Sequence, residues 1–203
     1  MRSQNDLAEA IAAAEFVPND YFAELDLGAV FSKTQPVEVD LGCGDGSFIV
    51  EMAAQNPERN FLGIERLLGR VRSASHKIAH RRLTNARVIR IETSYAIRDL
   101  LQPKSIDRFH LMFPDPWPKR RHQNRRIVSR DFLESAHRAL KSNGILRITT
   151  DQHEYAREIQ RLVGETKLFS ETPNDDEAIP SSAFQRRFAD LGTQIHRLVL
   201  RRL

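Results

Sequence analysis

The sequence has little cysteine, tryptophan or methionine, with one, one and three residues respectively among 203. With Cys43 as the only cysteine, an intramolecular disulfide framework and a multi-cysteine zinc site are excluded. The histidines form no cysteine–histidine cluster with metal-ligand spacing, so we expect no metal. No apolar run approaches the roughly 18 residues of a membrane span. The N-terminus also lacks the basic start and apolar core of a secretory signal, so we expect a cytoplasmic protein with no membrane partner.

Neither sign of charge is in large excess. Lysine and arginine number 31 and aspartate and glutamate 27, for a formal net charge of +4. Apolar residues make up 40% and charged residues 29%, which is typical of a globular protein rather than a disordered or fibrous one. We expect one domain over residues 1–203, with an N-terminal helical segment at 1–36 and a catalytic core at 37–203.

Short apolar runs alternate with helix-length segments along the chain. The predicted strands are 37–41, 60–65, 86–91, 106–113 and 144–150. The predicted helices lie near 3–14, 46–55, 67–82, 94–101, 129–141 and 152–164. This alternation is typical of an α/β fold with a doubly wound, mainly parallel sheet and helices on both faces. We expect 193–203 to form a last antiparallel strand at or near an edge, and 170–180 to form an acidic loop.

A glycine-rich loop follows the first predicted strand, where ligands of such sheets bind. Gly42, Gly44 and Gly46 permit a tight turn and a close approach of a ligand to the backbone. Glu65, at the end of the second strand, is placed to take both hydroxyls of an adenosine ribose, which fits NAD as well as S-adenosylmethionine. Asp40 favours S-adenosylmethionine, because a carboxylate suits its ammonium and sulfonium groups and opposes a pyrophosphate.

Two further residues belong to this predicted site. Glu92, just past the third strand, is placed to meet the adenine edge. Nothing near Cys43 in the sequence lowers its pKa, so we expect this residue to pack rather than to act as a nucleophile. The alternative for the whole loop is an ordinary glycine turn with solvated acids.

The segment after the fourth predicted strand reads FPDPWPKRRHQNRR, residues 113–126. Its prolines stiffen the loop and hold Asp115 and Trp117 at the mouth of the predicted site. Six basic side chains lie between 119 and 130, with no acid from 116 to 130. Such a block beside an aromatic ring suits a phosphate backbone next to an unpaired base. The alternatives are a solvated helix face for the basic run and simple packing for Trp117.

A second basic tract covers residues 66–91, which hold eight lysines and arginines and no acid. We expect its helix to face the sheet with four apolar side chains: Leu67, Val71, Ala74 and Ile78. The positive charge then points outward. The two tracts together predict a local field that attracts RNA.

The Pro–Trp segment resembles the P-D-P-W-x-K-x-R-H signature of the tRNA (guanine-N7)-methyltransferase family, followed by an arginine pair. The G-x-G-x-G loop is similar more broadly to class I S-adenosylmethionine-dependent methyltransferases. The resemblance runs from about Val37 to Thr150 and more weakly to the end. It implies a Rossmann-like, seven-stranded fold and methyl transfer to N7 of a tRNA guanine, at position 46 in the variable loop. S-Adenosylhomocysteine would be the product, and the enzyme would be a cytoplasmic monomer or homodimer that binds tRNA and no metal.

The resemblance also implies roles for individual residues. The residues expected to bind S-adenosylmethionine are Asp40, Gly42, Gly44, Gly46, Glu65, Glu92 and Asp115. The residues expected to bind the substrate are Lys119, Asp151, Ser182, Gln185 and Arg187. The residues expected to bind RNA are Arg121, His122, Gln123, Asn124, Arg125 and Arg126. Asp115 is the expected catalytic residue, because a carboxylate stabilises the cationic guanine that methylation produces.

The chain departs from the family pattern at Gln185, where relatives have glutamate, and at Ser182, where they have threonine. Glutamine keeps a carbonyl but loses a charge-assisted hydrogen bond, which would weaken base selection. A noncatalytic tRNA- or RNA-binding partner subunit with the same fold is therefore a second hypothesis. A Rossmann oxidoreductase is a third, disfavoured by Asp40 and the Pro–Trp loop. Asp115 has a turn-capping alternative, and Asp151 could cap the helix that follows it.

Overall fold

One mixed sheet organises the computed structural model, which describes residues 4–172 and 194–203. Its strands are β1 (Glu15–Phe16), β2 (Val37–Leu41), β3 (Asn60–Glu65), β4 (Ala86–Arg90), β5 (Ile106–Met112), β6 (Leu140–Thr150), β7 (Phe169–Glu171) and β8 (His196–Arg202). They lie in the order β1-β4-β3-β2-β5-β6-β8-β7. The first six strands in this order pair in parallel with their neighbours, and β8 is antiparallel to both β6 and β7. The predicted α/β, doubly wound and mostly parallel fold is confirmed.

The strand count differs from the seven that we expected, because the sheet of the described residues has eight strands. Six strands were located in the sequence, and the two that were not are β1 and β7. Of these, β1 pairs with β4 through only two residues. So short a strand has no alternation of apolar and polar residues to detect. The segment 170–180 was also expected to be a loop, but its first two residues belong to β7, whose Phe169 is buried in the core. The last strand is antiparallel and second from an edge, as predicted.

Helices cover both faces of this sheet. They are α1 (Gln4–Ala14), α2 (Leu27–Val30), α3 (Ser47–Gln55), α4 (Leu68–His80), α5 (Thr93–Tyr95), α6 (Arg130–Ala139) and α7 (His153–Thr166). A π-helical turn at Ala96–Leu100 continues α5, and a 3-10 turn spans Arg120–Arg125. In the ranges 4–172 and 194–203, no helix is long and apolar enough to cross a membrane.

The packing face of α4 agrees with the prediction at three positions out of four. Val71, Ala74 and Ile78 are buried against the sheet. The prediction is wrong for Leu67, because this residue is 44% exposed. The residue stands before the first turn of α4, and its backbone N–H is directed to the Glu65 carboxylate rather than into the helix.

Candidate methyl-transfer site

The five predicted site acids lie at or just past the ends of five neighbouring strands. The strands β4, β3, β2, β5 and β6 lie side by side and parallel, so their carboxyl ends share one edge of the sheet. In the order of the strands, the acids at or just past these ends are Glu92, Glu65, Asp40, Asp115 and Asp151. At about 4.8 Å between strands, this row of acids spans roughly 19 Å along the edge. The sheet therefore brings the expected cofactor and substrate residues to one side of the molecule.

The glycine loop after β2 is tied to the end of the neighbouring strand. The N–H groups of Gly42 and Cys43 both donate to the Ile64 carbonyl, at 2.9 Å. Gly42, Gly44 and Gly46 all have positive φ angles, between 57° and 78°. A Cβ built at Gly42 or Gly44 would meet no atom within 4 Å, so there is open space over this part of the backbone. A ligand can therefore approach the main chain here.

Gly46 is required for a different reason, which predicts the effect of Gly46→Ala. A Cβ at this position would lie 2.5 Å from the Ala74 Cβ, so α3 and α4 would have to separate. We expect the free energy of unfolding to fall by about 2–4 kcal/mol, from overpacking plus the cost of a left-handed alanine. Urea unfolding measures this loss. Gly69→Ala, where a Cβ meets nothing within 4 Å, is the matched control and should be neutral or mildly stabilising.

Asp40 and Glu65 form a closely spaced acidic pair below the loop. Asp40 is buried, and this burial, followed by the charge of Glu65, raises the pKa of Asp40 from 3.8 to about 8. Near neutral pH the Asp40 carboxyl is therefore largely protonated in the ligand-free protein. A positively charged ligand would restore the ionised form, so the pair favours cation binding.

Glu65 is held in one orientation by the backbone. Gly44 N–H donates to its Oε2 at 3.1 Å, and Leu67 N–H donates to its Oε1 at 2.8 Å. The guanidinium of Arg70 lies 3.7 Å from Oε2. Each carboxylate oxygen can accept a second hydrogen bond, so the side chain can still take two hydroxyl groups of a ligand.

Glu92 and Asp151 lie at the two ends of the row. Glu92 is exposed and caps α5, with its Oε2 accepting from the N–H of Tyr95 at 2.8 Å. Asp151 is half-buried, and its Oδ2 accepts from Gln152 Nε2 at 3.1 Å. The N-cap of α7 is Gln152 and not Asp151, so the helix-capping alternative for Asp151 is not observed.

The loop that carries Asp115 begins at the end of β5 with a backbone bond to the next strand. Phe113 N–H donates to the carbonyl of Thr149 at 2.8 Å, which sets the start of this loop beside the end of β6. Phe113 and Trp117 both adopt positive φ angles, 52° and 39°. Non-glycine residues rarely hold this conformation, so the loop is constrained by its surroundings. Asp115 lies on its exposed surface.

Trp117 packs against the 3-10 turn that follows it. The Arg125 guanidinium lies 5.1 Å from the centroid of its ring, and the His122 ring meets it edge-on at 5.8 Å. The packing alternative for Trp117 is therefore observed, and the ring stays half-buried rather than fully covered. The exposed side chains around it are those of Lys119, Arg121, Asn124 and Arg125.

Arg126 does not share this exposure. Its side chain is buried and bonded within the protein, unlike the solvent-facing position expected of a phosphate contact. Ser182, Gln185 and Arg187 lie outside the described residues, as does the side chain of Gln123.

Part of the basic surface of α4 is paired. Lys77 Nζ lies 2.5 Å from Asp45 Oδ2, and Arg81 lies 3.0 Å from Glu51. His76 and His80, four residues apart, stack with ring centroids 6.5 Å apart. Within the part of the chain that the structure describes, no group of three or more histidine, cysteine or acidic side chains could hold a metal ion.

Cys43 is buried, in agreement with a packing role. Burial, and next the charges of Asp40 and Glu65, raise the pKa of its thiol well above the usual value. Gly63 on β3 makes room for it, since a Cβ there would lie 2.7 Å from the Cys43 Sγ. A thiol held neutral in this way is a poor nucleophile.

A buried charged cluster under the site was missed in the sequence. Glu38 on β2 is fully buried and bonds Arg59 at 2.8 Å, Arg108 at 2.7 Å and His110 at 2.7 Å. Burial alone would raise the pKa of Glu38, but the His110 hydrogen bond and the charges of these three partners lower it from 4.5 to about 2. The cluster lies on the same face of β2 as Asp40, two residues away.

Comparison with known proteins identifies the group to which this chain belongs. A family described as "Putative methyltransferase" matches residues 34–198. A tRNA (guanine-N(7)-)-methyltransferase of Leifsonia xyli subsp. xyli is 35% identical, over 100% of this chain and 94% of that protein. Its namesake in Nitrosomonas europaea is 34% identical, over 88% of this chain and 81% of that protein. The chain belongs to the tRNA (guanine-N7)-methyltransferase family.

Solved structures show that this family member has the class I methyltransferase fold. The aminoglycoside resistance methyltransferase NpmB1 superposes with a TM-score of 0.64 at 18% identity, covering 87% of this chain and 92% of that one. The 16S rRNA methyltransferase KamB gives 0.65 at 15% identity, with the same coverage. At such low identity these likenesses concern the fold alone.

The residues of this tRNA (guanine-N7)-methyltransferase family member fit S-adenosylmethionine. The Asp40–Glu65 pair offers negative charge to a cation. Glu65 presents a pre-oriented carboxylate to a ribose diol, and the space over Gly42 and Gly44 admits a ligand close to the backbone. Asp40 below the glycine loop would become ionised beside a cation but gains nothing from a pyrophosphate, whose negative charge opposes that ionisation, and this argues against a dinucleotide.

Proposed function

We propose that this protein transfers a methyl group from S-adenosylmethionine to N7 of a guanine in tRNA, at position 46 in the variable loop. The observation that carries the proposal is the row of acids along the carboxyl ends of five parallel strands, with an exposed basic loop beside it. The names of the similar proteins in Leifsonia xyli and Nitrosomonas europaea support the same reaction.

The cofactor half of the site would be formed by β2, β3 and β4. Glu65 would accept from the ribose hydroxyls, and Asp40 would face the positively charged methionine end. Glu92 would use the oxygen not bound to Tyr95 N–H to meet the adenine edge. Bound in this way, S-adenosylmethionine supplies a methyl group already activated by its sulfonium.

The guanine half would be formed by the loops after β5 and β6. N7 carries a lone pair in neutral guanine, so no residue has to remove a proton before the reaction. The main contribution of the protein would be positioning, which can supply about 7–11 kcal/mol. Asp115 would stabilise the positive charge that develops on the ring, and Asp151 would orient the base.

The exposed basic residues of the Pro–Trp loop would hold the RNA. Lys119, Arg121 and Arg125 carry charges at the surface beside Asp115. A base in a tRNA loop can leave its stack for a few kcal/mol, which such contacts can offset. We propose that the protein acts in the cytoplasm, as a monomer or homodimer.

Two tRNA transcripts that differ only at position 46 test this proposal. The protein is incubated with methyl-labelled S-adenosylmethionine and either a transcript with guanine at 46 or one with adenine there. Label should enter only the first. Equal labelling of both would contradict position 46, and tRNA binding without labelling would favour the noncatalytic subunit.

The raised pKa of Asp40 predicts a pH dependence for cofactor affinity. Below about pH 8 the free Asp40 is protonated, and binding of a cationic ligand favours its ionised form, so binding releases a proton. Affinity should therefore rise with pH up to about 8, by at most about tenfold per unit. Calorimetry in buffers with different ionisation enthalpies counts the released protons.

Asp40→Asn is the control for this titration, because it lacks the carboxyl that titrates. Any pH dependence of affinity that remains in this variant reports the ligand's own amino group. The variant should bind more weakly at pH 8 and lose the extra proton release. The same pH profile in both proteins would show that Asp40 does not titrate on binding.

A further inference from the structure

We propose that Arg126 is a positioning residue, which ties the loop that carries Asp115 to helix α7, rather than an RNA contact. The proposal rests on the proposed function for the role it gives to Asp115. We name the three side chains Arg126, Tyr155 and Glu158 the Arg126 clamp.

The first half of the clamp fixes the backbone of the Pro–Trp loop. Arg126 Nε donates to the carbonyl of Pro116 at 2.7 Å, and its Nη2 points to the carbonyl of Trp117 at 3.5 Å. These are the two residues that directly follow Asp115. Since the prolines leave the loop few N–H groups of its own, its carbonyls depend on an outside donor.

The second half of the clamp joins the same guanidinium to α7. Arg126 Nη1 donates to Glu158 Oε2, and its Cζ lies 4.8 Å from the centroid of the Tyr155 ring. Tyr155 and Glu158 are three residues apart and so lie on one face of α7. The Tyr155 hydroxyl also accepts from the Val128 N–H at 3.2 Å, which anchors the chain just after Arg126.

The clamp connects the two loops of the guanine half of the site. Asp115 lies on one side, and α7 begins two residues after Asp151 on the other. Asp115 directly precedes Pro116, whose carbonyl accepts from Arg126 Nε, so Asp115 lies one residue from a bond of the clamp. A shift of Arg126 would therefore move the Asp115 loop relative to Asp151.

Burial and pairing argue against a phosphate contact for Arg126. Its residue is 8% exposed, whereas the neighbouring Arg125 is exposed. Its charge is compensated by Glu158, so it adds little to the positive surface. To reach a phosphate it would have to leave two carbonyls and a carboxylate, which would then lose their partner.

Trp117 gives a direct measurement of the clamp without substrate, because it is the only tryptophan. In Arg126→Ala and in Glu158→Gln the loop should loosen, which shifts Trp117 emission to longer wavelength and increases its quenching by acrylamide. Arg130→Ala removes an exposed arginine at the start of α6 and is the matched control, with unchanged emission. Unchanged emission in both clamp variants would overturn the proposal even if the protein has no activity on tRNA.

Kinetics separate positioning from RNA binding. Arg126→Ala should lower kcat about 100-fold, as expected for a displaced catalytic group. Its Kd for tRNA should stay within about twofold of the wild type, with an unchanged slope of log Kd against log salt. Arg125→Ala is the comparison, expected to weaken tRNA binding and to reduce that slope by about one. If Arg126→Ala instead behaves like Arg125→Ala and keeps its kcat at saturating tRNA, Arg126 is an RNA contact and the proposal fails.

Two conservative variants complete the test. Arg126→Lys keeps the charge but lacks the planar guanidinium, which donates to a carbonyl and a carboxylate at the same time. The kcat of this variant should therefore stay low. Full rescue by lysine would contradict the proposal.

Glu158→Gln is a milder change at a partly exposed side chain, and it should lower kcat without changing the salt slope of tRNA binding. If Arg126→Ala does not fold, this variant decides: an unchanged kcat would overturn the clamp. If the wild-type protein does not methylate tRNA, the proposed function is wrong. Trp117 emission would still test whether the clamp holds the loop.

Discussion

Asp115→Ala should lower the single-turnover rate of methyl transfer by about 100- to 1000-fold, the range seen when one pre-oriented electrostatic group is removed. The reason is that the guanine ring becomes cationic as its N7 accepts the methyl group, and Asp115 would be the carboxylate facing it. The affinity for tRNA should stay nearly intact, because the exposed Lys119, Arg121 and Arg125 would carry the phosphate contacts. Rapid-quench assays at saturating S-adenosylmethionine measure the rate, and filter binding measures the affinity.

Asp115→Asn and Glu134→Ala are the controls for this experiment. The asparagine keeps the shape of the side chain without its charge, so it should show most of the loss. Glu134 is exposed on α6 and is not among the predicted site residues, so its replacement should leave the rate unchanged. A parallel loss of rate and tRNA affinity in Asp115→Ala would contradict the role given to Asp115.

Glu38→Gln should reduce the free energy of unfolding by about 3–5 kcal/mol near neutral pH, the cost of breaking a buried ion pair by removing one partner. Arg59, Arg108 and His110 all bond this fully buried carboxylate. His110 is buried and the Arg108 side chain is only 11% exposed, so these two would lose this bond with little water to replace it. Urea unfolding measures the change. Glu51→Gln, which breaks the exposed pair with Arg81, is the matched control and should cost less than about 1 kcal/mol.

The lowered pKa of Glu38 also sets the pH window of this contribution. Its pKa is 4.5 as an ordinary side chain and about 2 in the folded protein, so the stabilisation is fully present above about pH 4.5. It is lost as the pH falls from there towards 2, and its size is about 3 kcal/mol. The difference between the wild-type protein and Glu38→Gln should therefore shrink over this window. A difference that is constant down to pH 2 would show that the charge of Glu38 is not responsible.

Most of the sheet was predictable because its strands are short apolar runs with clear ends. The predicted boundaries 37–41 and 60–65 coincide with β2 and β3. The placement of the five acids along one edge of the sheet was predictable for a related reason: parallel strands place their carboxyl ends along one edge, so a residue at each strand end is already located. The sequence alone carries no such signal for β1, whose two residues are defined only by their pairing with β4.

The charged cluster under the site could not be predicted without the order of the strands in the sheet. Glu38 alternates with valines in a strand expected to be buried on both faces, and Arg108 and His110 show the same alternation in β5. Charged residues at alternate positions of two buried strands are the signal that could have revealed the cluster. Their pairing still depends on β2 and β5 being neighbours, which places Glu38 opposite Arg108.

Arg126 shows the limit of a linear motif. It directly follows Arg125 in one basic run, yet one side chain is exposed and the other is buried. The difference arises from Tyr155 and Glu158, about thirty residues later on α7. A charge run predicts a basic surface, but which of its members reaches solvent is decided by tertiary contacts.

Nucleoside analysis of tRNA treated with this protein and methyl-labelled S-adenosylmethionine tests the central claim most directly. After digestion, the label should appear in 7-methylguanosine, and Asp115→Ala should remove it. Label found in any other nucleoside, or no label in tRNA that the protein demonstrably binds, would contradict the assignment of this site to guanine N7 methylation.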